Sequence, residues 1–430
     1  MTARRRLSIC YAAPGLNLLP SAGPTRNVLS LATAMSEWAD VTVAGRRILE
    51  PAEAGPCRVI AIDPTPAEER YFDDNGTRGI RPLDHVRYCR TLWSFAAASA
   101  RSFDVVLEKG WRLSGLLGLA FLRAGVPAAL VENDVRRWTE PVRSVTDLSK
   151  FALHVAADRL ARGASRRLPL VIAETPELKA LLVARRGLAP ERIHVVGLGV
   201  DHAVFAAADQ ASARAALGIS TQPLILLYVG AMDEYHDLAP IIAALREVDG
   251  AALELHVVGD GEFRARYEDQ AARTRVPVRF HGRVPHASVP RYIATADLCL
   301  APYRTSAFHT PEVFFSTLKI PEYMACARPV VSVPGGAIER LVTHGVTGFV
   351  VPNDPAAWLS LLRSLPSRDR LASMGREAAR RASSIRWDTT ARRYWELCHD
   401  LLRTGAGASQ SAGGRPERAT VGSERHDEAP

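Results

Sequence analysis

Residues 301–336 read APYRTSAFHTPEVFFSTLKIPEYMACARPVVSVPGG, and the order of apolar and polar residues in this stretch decides the fold. The apolar runs at 298–301 and 329–333 predict two buried strands, and the residues between them predict a polar and aromatic loop that turns into a helix. Proline is tolerated only in the first turn of a helix, so Pro321 places the helix start near Leu318. A strand, a helix and a second strand in succession predict a parallel sheet with a helical crossover.

The start of this helix is the first candidate binding site. The unpaired backbone N–H groups of Ser316, Thr317 and Leu318 should face a cavity at the strand ends, where a helix N-terminus binds an anion or a sugar hydroxyl. Lys319 precedes Glu322 by three residues, so an ammonium and a carboxylate share one face of the helix.

Strand and helix patterns alternate through the rest of the chain, which predicts an α/β protein. The predicted strands of the two halves are 7–12, 40–44, 58–62, 105–108, 128–132, 168–173 and 193–196, and then 224–230, 253–258, 278–281, 298–301, 329–333 and 349–351. Two similar halves predict two doubly wound, Rossmann-like domains that face each other across a cleft, where ligands bind beyond the carboxyl ends of the strands. The glycine-containing stretch 197–201 marks the boundary, so residues 1–200 and 201–385 are the predicted domains, and residues 404–430 are expected to be a disordered tail.

Composition and charge narrow the class of protein. The chain has 430 residues, 47% hydrophobic content and a formal net charge of +8, which is typical of a globular protein with a large core. Its basic residues are dispersed and not interleaved with aromatic residues, so we expect no nucleic-acid partner, while an anionic substrate or an acidic membrane surface fits equally well. The six cysteines form no Cys-x-x-Cys motif, and no signal or membrane-spanning segment is visible, so we expect a cytoplasmic protein, with peripheral contact to the cytoplasmic membrane face left open.

The stretch 314–331 is similar to the donor site of the retaining glycosyltransferases of family 4, the group 1 glycosyltransferases, which have the GT-B fold. That family carries a Glu-x7-Glu motif followed by Met-Ala-x-Gly-x-Pro-Val-Val, and residues 322–331 read Glu-Tyr-Met-Ala-Cys-Ala-Arg-Pro-Val-Val. The resemblance implies that Glu322 binds the ribose hydroxyls of a nucleotide. Phe314 stands at the place of the first glutamate, and Ser316 to Glu322 match a branch of the family with Ser-Pro-Leu-Lys-x-x-Glu at this place. The resemblance also implies that a C-terminal helix, residues 386–403, crosses back to the first domain.

The same resemblance extends over nearly the whole chain and supplies further candidate residues. Gly335 and Gly336 open a helix whose N–H groups would meet oxygens of the donor. Glu108, Glu132 and Asn133 lie at strand ends that resemble those of the acceptor domain, where each glutamate is equally well interpreted as a solvated strand end or a helix cap.

Residues 228–237 depart from the family, which commonly has Gly-Arg at the start of this segment and Lys-Gly near its end, with the arginine and lysine neutralising the departing diphosphate. Gly230 keeps the glycine, but Ala231 replaces the arginine and His236 stands at the place of the lysine. Candidate replacements for the missing cations are Lys319, His236 and Arg283, together with Arg304 and His309. His236 is alternatively interpreted as a cap of a helix that begins near Asp237.

These features predict a glycosyltransferase that moves a sugar from a nucleotide-diphosphate sugar to the hydroxyl of an unknown acceptor, a glycan, a lipid-linked molecule or a small molecule. The resemblance implies retention of the anomeric configuration, with Lys319 and His236 as catalytic residues and with no metal or other cofactor. Two alternatives remain open: a catalytically weak GT-B protein that binds a partner or a nucleotide sugar, and a sugar-nucleotide epimerase. The absence of a complete Gly-x-Gly-x-x-Gly, His-Glu-x-x-His, Gly-x-Ser-x-Gly or Walker motif disfavours other reaction classes.

Overall fold

A computed structural model of the chain describes residues 6–19, 23–50, 55–63, 82–135, 143–248, 253–308 and 313–411. Within these ranges the strands form two sheets, and all pairings between the named strands are parallel. The strands of the first sheet are β1 (Leu7–Leu18), β2 (Ala39–Ile48), β3 (Arg58–Ala61), β4 (Val105–Lys109), β5 (Ala128–Glu132), β6 (Leu170–Ala173) and β7 (Ile193–Val195). The strands of the second sheet are β8 (Leu224–Val229), β9 (Leu253–Val258), β10 (Val278–Gly282), β11 (Leu298–Ala301), β12 (Val330–Ser332) and β13 (Gly348–Val350).

Helices connect the strands and cover both sheets. They are α1 (Gly23–Met35), α2 (Pro82–Ser99), α3 (Leu116–Arg123), α4 (Val145–Ser165), α5 (Pro176–Leu181), α6 (Gln210–Leu217), α7 (Ala239–Ala244), α8 (Arg264–Ala271), α9 (Val289–Thr295), α10 (Lys319–Ala325), α11 (Gly336–Glu339), α12 (Pro355–Arg363), α13 (Arg368–Ala382) and α14 (Trp387–Ser411). None of the helices in the described ranges is both long enough and apolar enough to span a membrane.

The two sheets share one strand order, which is that of a doubly wound fold. The first runs β3-β2-β1-β4-β5-β6-β7 and the second runs β10-β9-β8-β11-β12-β13. In such sheets the order reverses beside the first strand, here between β1 and β4 and between β8 and β11, and the crevice at that point binds ligands. The predicted α/β class with two Rossmann-like domains is therefore confirmed.

Several predicted elements have different bounds. Strand β1 continues to Leu18, past the predicted end at residue 12, because a shift in its register with β2 between Ala13 and Asn17 absorbs the irregular residues. Strand β2 likewise extends to Ile48, past the predicted end at residue 44. Helix α7 begins at Ala239, after the start near Asp237 that was expected, and ends at Ala244. Helix α14 runs to Ser411, past the predicted end at residue 403, and residues 412–430 lie outside the described ranges.

The chain passes between the domains twice at one place, which forms a hinge. Val200 in the linker pairs with Arg386 as an isolated parallel bridge, and Gly199 lies so close to Trp387 that a Cβ there would stand 2.3 Å from the Trp387 backbone nitrogen. Helix α14 then packs on the first domain, where Tyr394 and Leu397 join the apolar core formed by β1, β4 and α1.

A second contact between the domains lies away from the hinge, between the loop before α10 and the start of α5. Phe314 is 3% exposed and belongs to the core of the first domain, although the neighbouring residues of the chain belong to the second. The Thr175 hydroxyl donates a hydrogen bond to the Phe314 carbonyl, and Arg340 forms an ion pair with Glu177. The place at which the family has its first glutamate is therefore an apolar anchor between the domains.

A buried ion pair lies inside the first domain, at the ends of β4 and β6. The Lys109 ammonium lies 3.8 Å from the Glu174 carboxylate, and both side chains are buried. Burial lowers the pKa of Lys109 and raises that of Glu174, while each charge favours the ionised form of the other. Lys109 Nζ and the hydroxyl of nearby Tyr11 have no hydrogen-bond partner among the described residues. The pair therefore carries a desolvation cost that its mutual attraction offsets, with smaller contributions from the hydrogen bond of Asn27 to Glu174 and from the charge of Glu132.

We expect that breaking this pair costs more than removing it. Glu174→Leu should lower the free energy of unfolding by about 3–5 kcal/mol because it leaves an uncompensated buried ammonium, whereas Lys109→Met combined with Glu174→Leu should cost far less. Chemical denaturation of both single variants and the double variant measures this coupling. The exposed pair Arg393–Glu396 on α14 provides the control cycle, with an expected coupling below about 1 kcal/mol. Additive single effects at Lys109 and Glu174 would contradict a buried, mutually dependent pair.

Candidate functional site

The candidate site lies in the second domain at the point where the strand order reverses. Tyr228 is near the end of β8, and Tyr303 follows β11, which pairs with β8. The chain at Gly230 and Gly259 is packed so closely that a Cβ on Gly259 would stand 2.0 Å from the Gly230 carbonyl oxygen. Glycine is therefore required at this sheet edge, and it leaves room above the strands for side chains that come from α10.

Lys319, the first residue of α10, places its ammonium in this space. Its Nζ lies 3.3 Å from the Tyr228 hydroxyl, 4.5 Å from the Tyr228 ring centroid and 5.5 Å from the Tyr303 ring centroid. No carboxylate in the described part of the chain lies within ion-pair distance of it. Burial lowers the pKa of Lys319 to about 7, although the charges of Asp233 and Glu322 act to raise it. The ammonium is thus held by aromatic faces and one hydroxyl, and it has no anionic partner in contact.

Gly230 adjoins this ammonium directly. A Cβ at residue 230 would stand 2.7 Å from Lys319 Nζ and 3.0 Å from the Tyr228 hydroxyl, and the backbone φ of +152° also disfavours other residues. Gly230 was a candidate for binding the donor, and the structure places it beside the Lys319 ammonium; its contact with a donor stays a prediction.

His236 lies beside the same group of side chains. Its Nδ1–H donates to the Asp233 carboxylate at 2.8 Å, and its ring centroid lies 5.3 Å from that of Tyr303. Burial lowers the pKa of His236 and the charge of Lys319 lowers it further, while the hydrogen bond to Asp233 acts in the opposite direction. The alternative interpretation as a helix cap is wrong, because α7 begins at Ala239, where the Asp237 carboxylate accepts the backbone N–H.

Glu322 lies one turn into α10 and is half-buried at the boundary between the domains. Burial raises the pKa of its carboxyl to about 7, and the charges of Lys319 and of Arg26, on α1 of the first domain, partly offset this effect. Its carboxylate makes no hydrogen bond to any residue in the described ranges. A half-buried acceptor without a donor is available to ligand hydroxyls.

The other predicted donor-side residues are arranged less uniformly. Thr317 is buried and its hydroxyl shares a hydrogen bond with the Tyr303 hydroxyl, so it fixes one wall of the cation site. Leu318 packs against the first-domain core. Ser316, directly before Thr317, is half-buried. Arg283 is exposed after β10, which is separated from β8 by β9.

The Gly335–Gly336 pair is occupied by the protein itself. A Cβ on Gly336 would stand 2.6 Å from a carboxylate oxygen of Glu177, which belongs to the first domain. A Cβ on Gly335 would stand 2.8 Å from the side chain of Val313. The structure therefore places these glycines at the interdomain contact, and the predicted space for donor oxygens is filled there by Glu177.

The predicted acceptor-side glutamates have internal partners. Glu108 is buried and accepts hydrogen bonds from Trp111 Nε1 at 2.8 Å and from the backbone N–H groups of Gly115 and Gly118 at 3.0 and 2.7 Å. It therefore caps α3, the alternative that the sequence left open, and burial raises the pKa of its carboxyl to about 7. Glu132 is buried in an ion pair with Arg186. Neither carboxylate is available to an acceptor.

Asn133, directly after β5, is half-buried. Of the three predicted acceptor-side residues it is the one whose side chain has no hydrogen bond or ion pair within the described ranges.

Sequence reasoning missed three side chains that shape the site: Tyr228, Tyr303 and Asp233. Tyr303 falls within the stretch 301–336, and a polar-tipped aromatic residue directly after a buried strand was the available signal. Nothing in the sequence states that two rings from different strands converge on one lysine, because that depends on the order of the strands.

A separate open groove of about 430 Å³ lies beside the hinge. It is lined by residues of α1, the linker and the start of α14, among them Arg26, Ser30, Asp201 and Arg386. Its lining includes none of Lys319, His236 and Glu322, so this groove and the convergent polar site are different places. Within the described ranges no group of three or more His, Cys, Asp or Glu side chains is arranged to hold a metal ion.

Comparison with known proteins identifies the family. The model for the glycosyl transferase 4-like domain matches residues 22–199, and the model for glycosyl transferases group 1 matches residues 223–367. A D-inositol 3-phosphate glycosyltransferase of Thermobispora bispora is 30% identical over 70% of this chain and 71% of its own length. A protein of the same name from Thermomonospora curvata is 30% identical over 73% of this chain and 77% of its own length.

Solved structures show the same fold at lower identity. Sucrose-phosphate synthase from Thermosynechococcus elongatus superposes with a TM-score of 0.72 at 18% identity, over 93% of this chain and all of the other. Anabaena HepE in complex with UDP and glucose superposes with a TM-score of 0.69 at 18% identity, over 91% of this chain and 99% of the other. With matching models for both halves, and with relatives at 30% identity over most of its length, the chain belongs to the group 1 glycosyltransferases of family 4 and is a glycosyltransferase of the GT-B fold.

Proposed function

We propose that this enzyme transfers a sugar from a nucleoside diphosphate sugar to an acceptor hydroxyl, with retention at the anomeric carbon. The observation that carries the proposal is the Lys319 ammonium, which lies at the point of strand-order reversal with no carboxylate in contact among the described residues. A partly desolvated cation without an anionic partner is suited to bind a diphosphate, because the attraction between them becomes stronger as the leaving group gains negative charge. The half-buried Glu322 carboxylate, one turn along the same helix, accepts hydrogen bonds from the ribose hydroxyls.

In the proposed reaction the bond between the anomeric carbon and the diphosphate oxygen breaks, and the acceptor oxygen bonds to that carbon. The proton of the acceptor hydroxyl passes to the departing diphosphate oxygen, on which negative charge builds as its bond to the anomeric carbon breaks. Lys319 stabilises this charge. His236, whose Nδ1–H already donates to Asp233, adds an Nε2–H donor and a second charge when its ring is protonated. We propose that these groups do this without a metal cofactor.

The names of similar proteins support parts of the proposal. Relatives at 30% identity are D-inositol 3-phosphate glycosyltransferases, which favours a polyhydroxylated acceptor of small size. HepE is described in complexes with UDP and with UDP-glucose, which favours a uridine nucleotide as the donor. The epimerase alternative has no support among these proteins.

One observation favours a second candidate function, a GT-B protein that binds a nucleotide sugar with weak turnover or none. Phe314 is buried in the core of the first domain, so the place of the family's first glutamate offers no carboxylate to the sugar. Ala231 likewise removes a cation. The missing charges would lower transition-state stabilisation without preventing the nucleotide from binding.

A transfer assay separates the two candidates. With labelled nucleotide sugars and a panel of polyol and polyol-phosphate acceptors, we expect release of nucleoside diphosphate and a product whose anomeric configuration, read by NMR, equals that of the donor. Lys319→Met should lower turnover about 100-fold or more because it removes one preorganised electrostatic contact. Lys179→Met is the matched control, since this ammonium binds the Ile193 carbonyl on the edge strand β7.

The outcomes have distinct meanings. Nucleotide binding without transfer would favour the second candidate, and transfer with inversion would contradict retention. Equal turnover in Lys319→Met and the parent would remove Lys319 from the catalytic residues.

The affinity for nucleoside diphosphate should depend on pH. Because burial holds the pKa of Lys319 near 7, the free amine is increasingly neutral above this pH, and binding the anion must then take up a proton from solution. The dissociation constant should therefore rise between about pH 7.5 and 9, approaching tenfold per pH unit at most. Calorimetric titration across this range measures it.

Two variants test which residue causes the affinity for nucleoside diphosphate to depend on pH. Lys319→Arg, which stays charged, should bind with little dependence on pH, and Glu322→Gln should bind more weakly but keep the slope of the parent. A parent whose affinity is constant with pH, or a Lys319→Arg variant with an unchanged slope, would show that another group titrates.

A further inference from the structure

Helix α4 of the first domain has two halves with different surroundings. Its buried side chains, Ala157, Ala161 and Ala164, recur at helical spacing in the C-terminal half and face the body of the domain. Between Val145 and Ala156, none of the side chains that the structure describes is buried. The N-terminal half therefore lies on the surface along its whole length.

The outward side of this helix is apolar. Val145, Leu148, Ala152 and Ala156 recur at spacings of three and four residues, so they lie on one side of the helix, away from the buried alanines. Leu160 continues this series at its edge, one turn from Ala157 and Ala164. Val145 is 85% exposed, Leu148 is 55% exposed and Leu160 is 60% exposed. Isolated exposed apolar residues are ordinary, but an ordered stripe of them on one helix indicates an interaction site.

Basic residues border the stripe. Exposed ones are found before, within and after the helix: Arg143, Lys150, Arg159, Arg166 and Arg167. The acidic side chains of the helix have local partners, since Asp147 accepts from the Ser144 hydroxyl at its N-terminus and Asp158 forms an ion pair with Arg162. The net charge around the stripe is positive.

We propose that this α4 surface, the stripe Val145–Leu148–Ala152–Ala156–Leu160 with its basic border, binds an anionic lipid membrane. An amphipathic helix with an apolar face and flanking basic residues lies in the membrane interface, where the apolar side chains enter the acyl boundary and the cations meet anionic headgroups. The positive border disfavours a second copy of this chain, because two such surfaces would repel each other.

The position of the surface links it to the cleft. Helix α4 follows β5, and a crossover helix runs antiparallel to the strand before it, so the exposed N-terminal half lies at the carboxyl edge of the first sheet. Binding through this half brings the first-domain side of the cleft to the lipid surface. The inference rests on exposure and charge, and it is independent of which donor or acceptor the enzyme uses.

Sedimentation of the full chain with lipid vesicles tests the proposal. At physiological ionic strength we expect binding to vesicles of phosphatidylcholine mixed with phosphatidylglycerol, and much weaker binding to phosphatidylcholine alone. The double variant Leu148→Ser/Leu160→Ser should bind the anionic vesicles about tenfold or more weakly, since it removes two apolar contacts with the acyl boundary. Lys150→Ser/Arg159→Ser should bind the anionic vesicles more weakly at physiological ionic strength, and its binding should fall less with added salt than that of the parent.

Val346→Ser provides the matched control, because Val346 is 46% exposed on the second domain. This variant should bind as the parent does, and thermal melting of all variants verifies that they are folded. The proposal is overturned if the parent does not bind anionic vesicles or if the Leu148/Leu160 variant binds them like the parent. It is also overturned if the stripe instead forms a dimer interface, so that the Leu148/Leu160 variant dissociates a dimer, or if the stripe binds an acidic protein.

Discussion

Much of the second domain's site depends on one constraint: the Lys319 ammonium is taken out of water without a carboxylate in contact. Such a charge is costly unless hydrogen bonds and π-faces replace part of its hydration, and here Tyr228 and Tyr303 do so. Gly230 must lack a side chain because a Cβ would touch the ammonium. The hydrogen bond between Thr317 and Tyr303 fixes the second ring. Under the proposed function, an incoming diphosphate would supply the missing anion, and the cost of desolvation in the free enzyme would become selectivity for that group.

The two domains contact each other at two places, and the interactions at these places are of different kinds. At the hinge the linker and the residues before α14 run side by side, and α14 joins the first-domain core. At the second contact, Phe314 joins the loop before α10 to the first-domain core, and Arg340, directly after α11, forms an ion pair with Glu177 on α5. Because this loop leads directly into Lys319, the contact that replaces the family's first glutamate also sets the position of the ammonium.

The fold was largely predictable because strands buried on both faces of a parallel sheet read as short apolar runs between helical segments. The start of α10 was predictable from Pro321, since proline restricts its own position in a helix. The extension of β1 was not, because a register shift lets a strand continue through residues that otherwise signal a loop. The extension of α14 to Ser411 was also missed, since its last residues lack the large apolar side chains on which the prediction depended.

The candidate site was predictable only in part. Lys319 and Glu322 are three residues apart on one helix, so local geometry brings them together. Glu108 and Glu132 show the limit of such reasoning: a carboxylate at a strand end is visible in the sequence, but whether it faces a cleft or caps α3 depends on the loop that follows it. Tyr228 and Tyr303 meet at Lys319 only because β8 and β11 are neighbours, which is a property of the sheet and not of either segment.

The most direct measurement is a crystal structure of the enzyme with a bound nucleoside diphosphate. We expect the β-phosphate within hydrogen-bonding distance of Lys319 Nζ, the ribose hydroxyls against the Glu322 carboxylate, and Phe314 still buried in the first domain. A nucleotide bound instead in the groove beside the hinge, between Arg26, Asp201 and Arg386, would contradict the assignment of the donor site to Lys319 and Glu322.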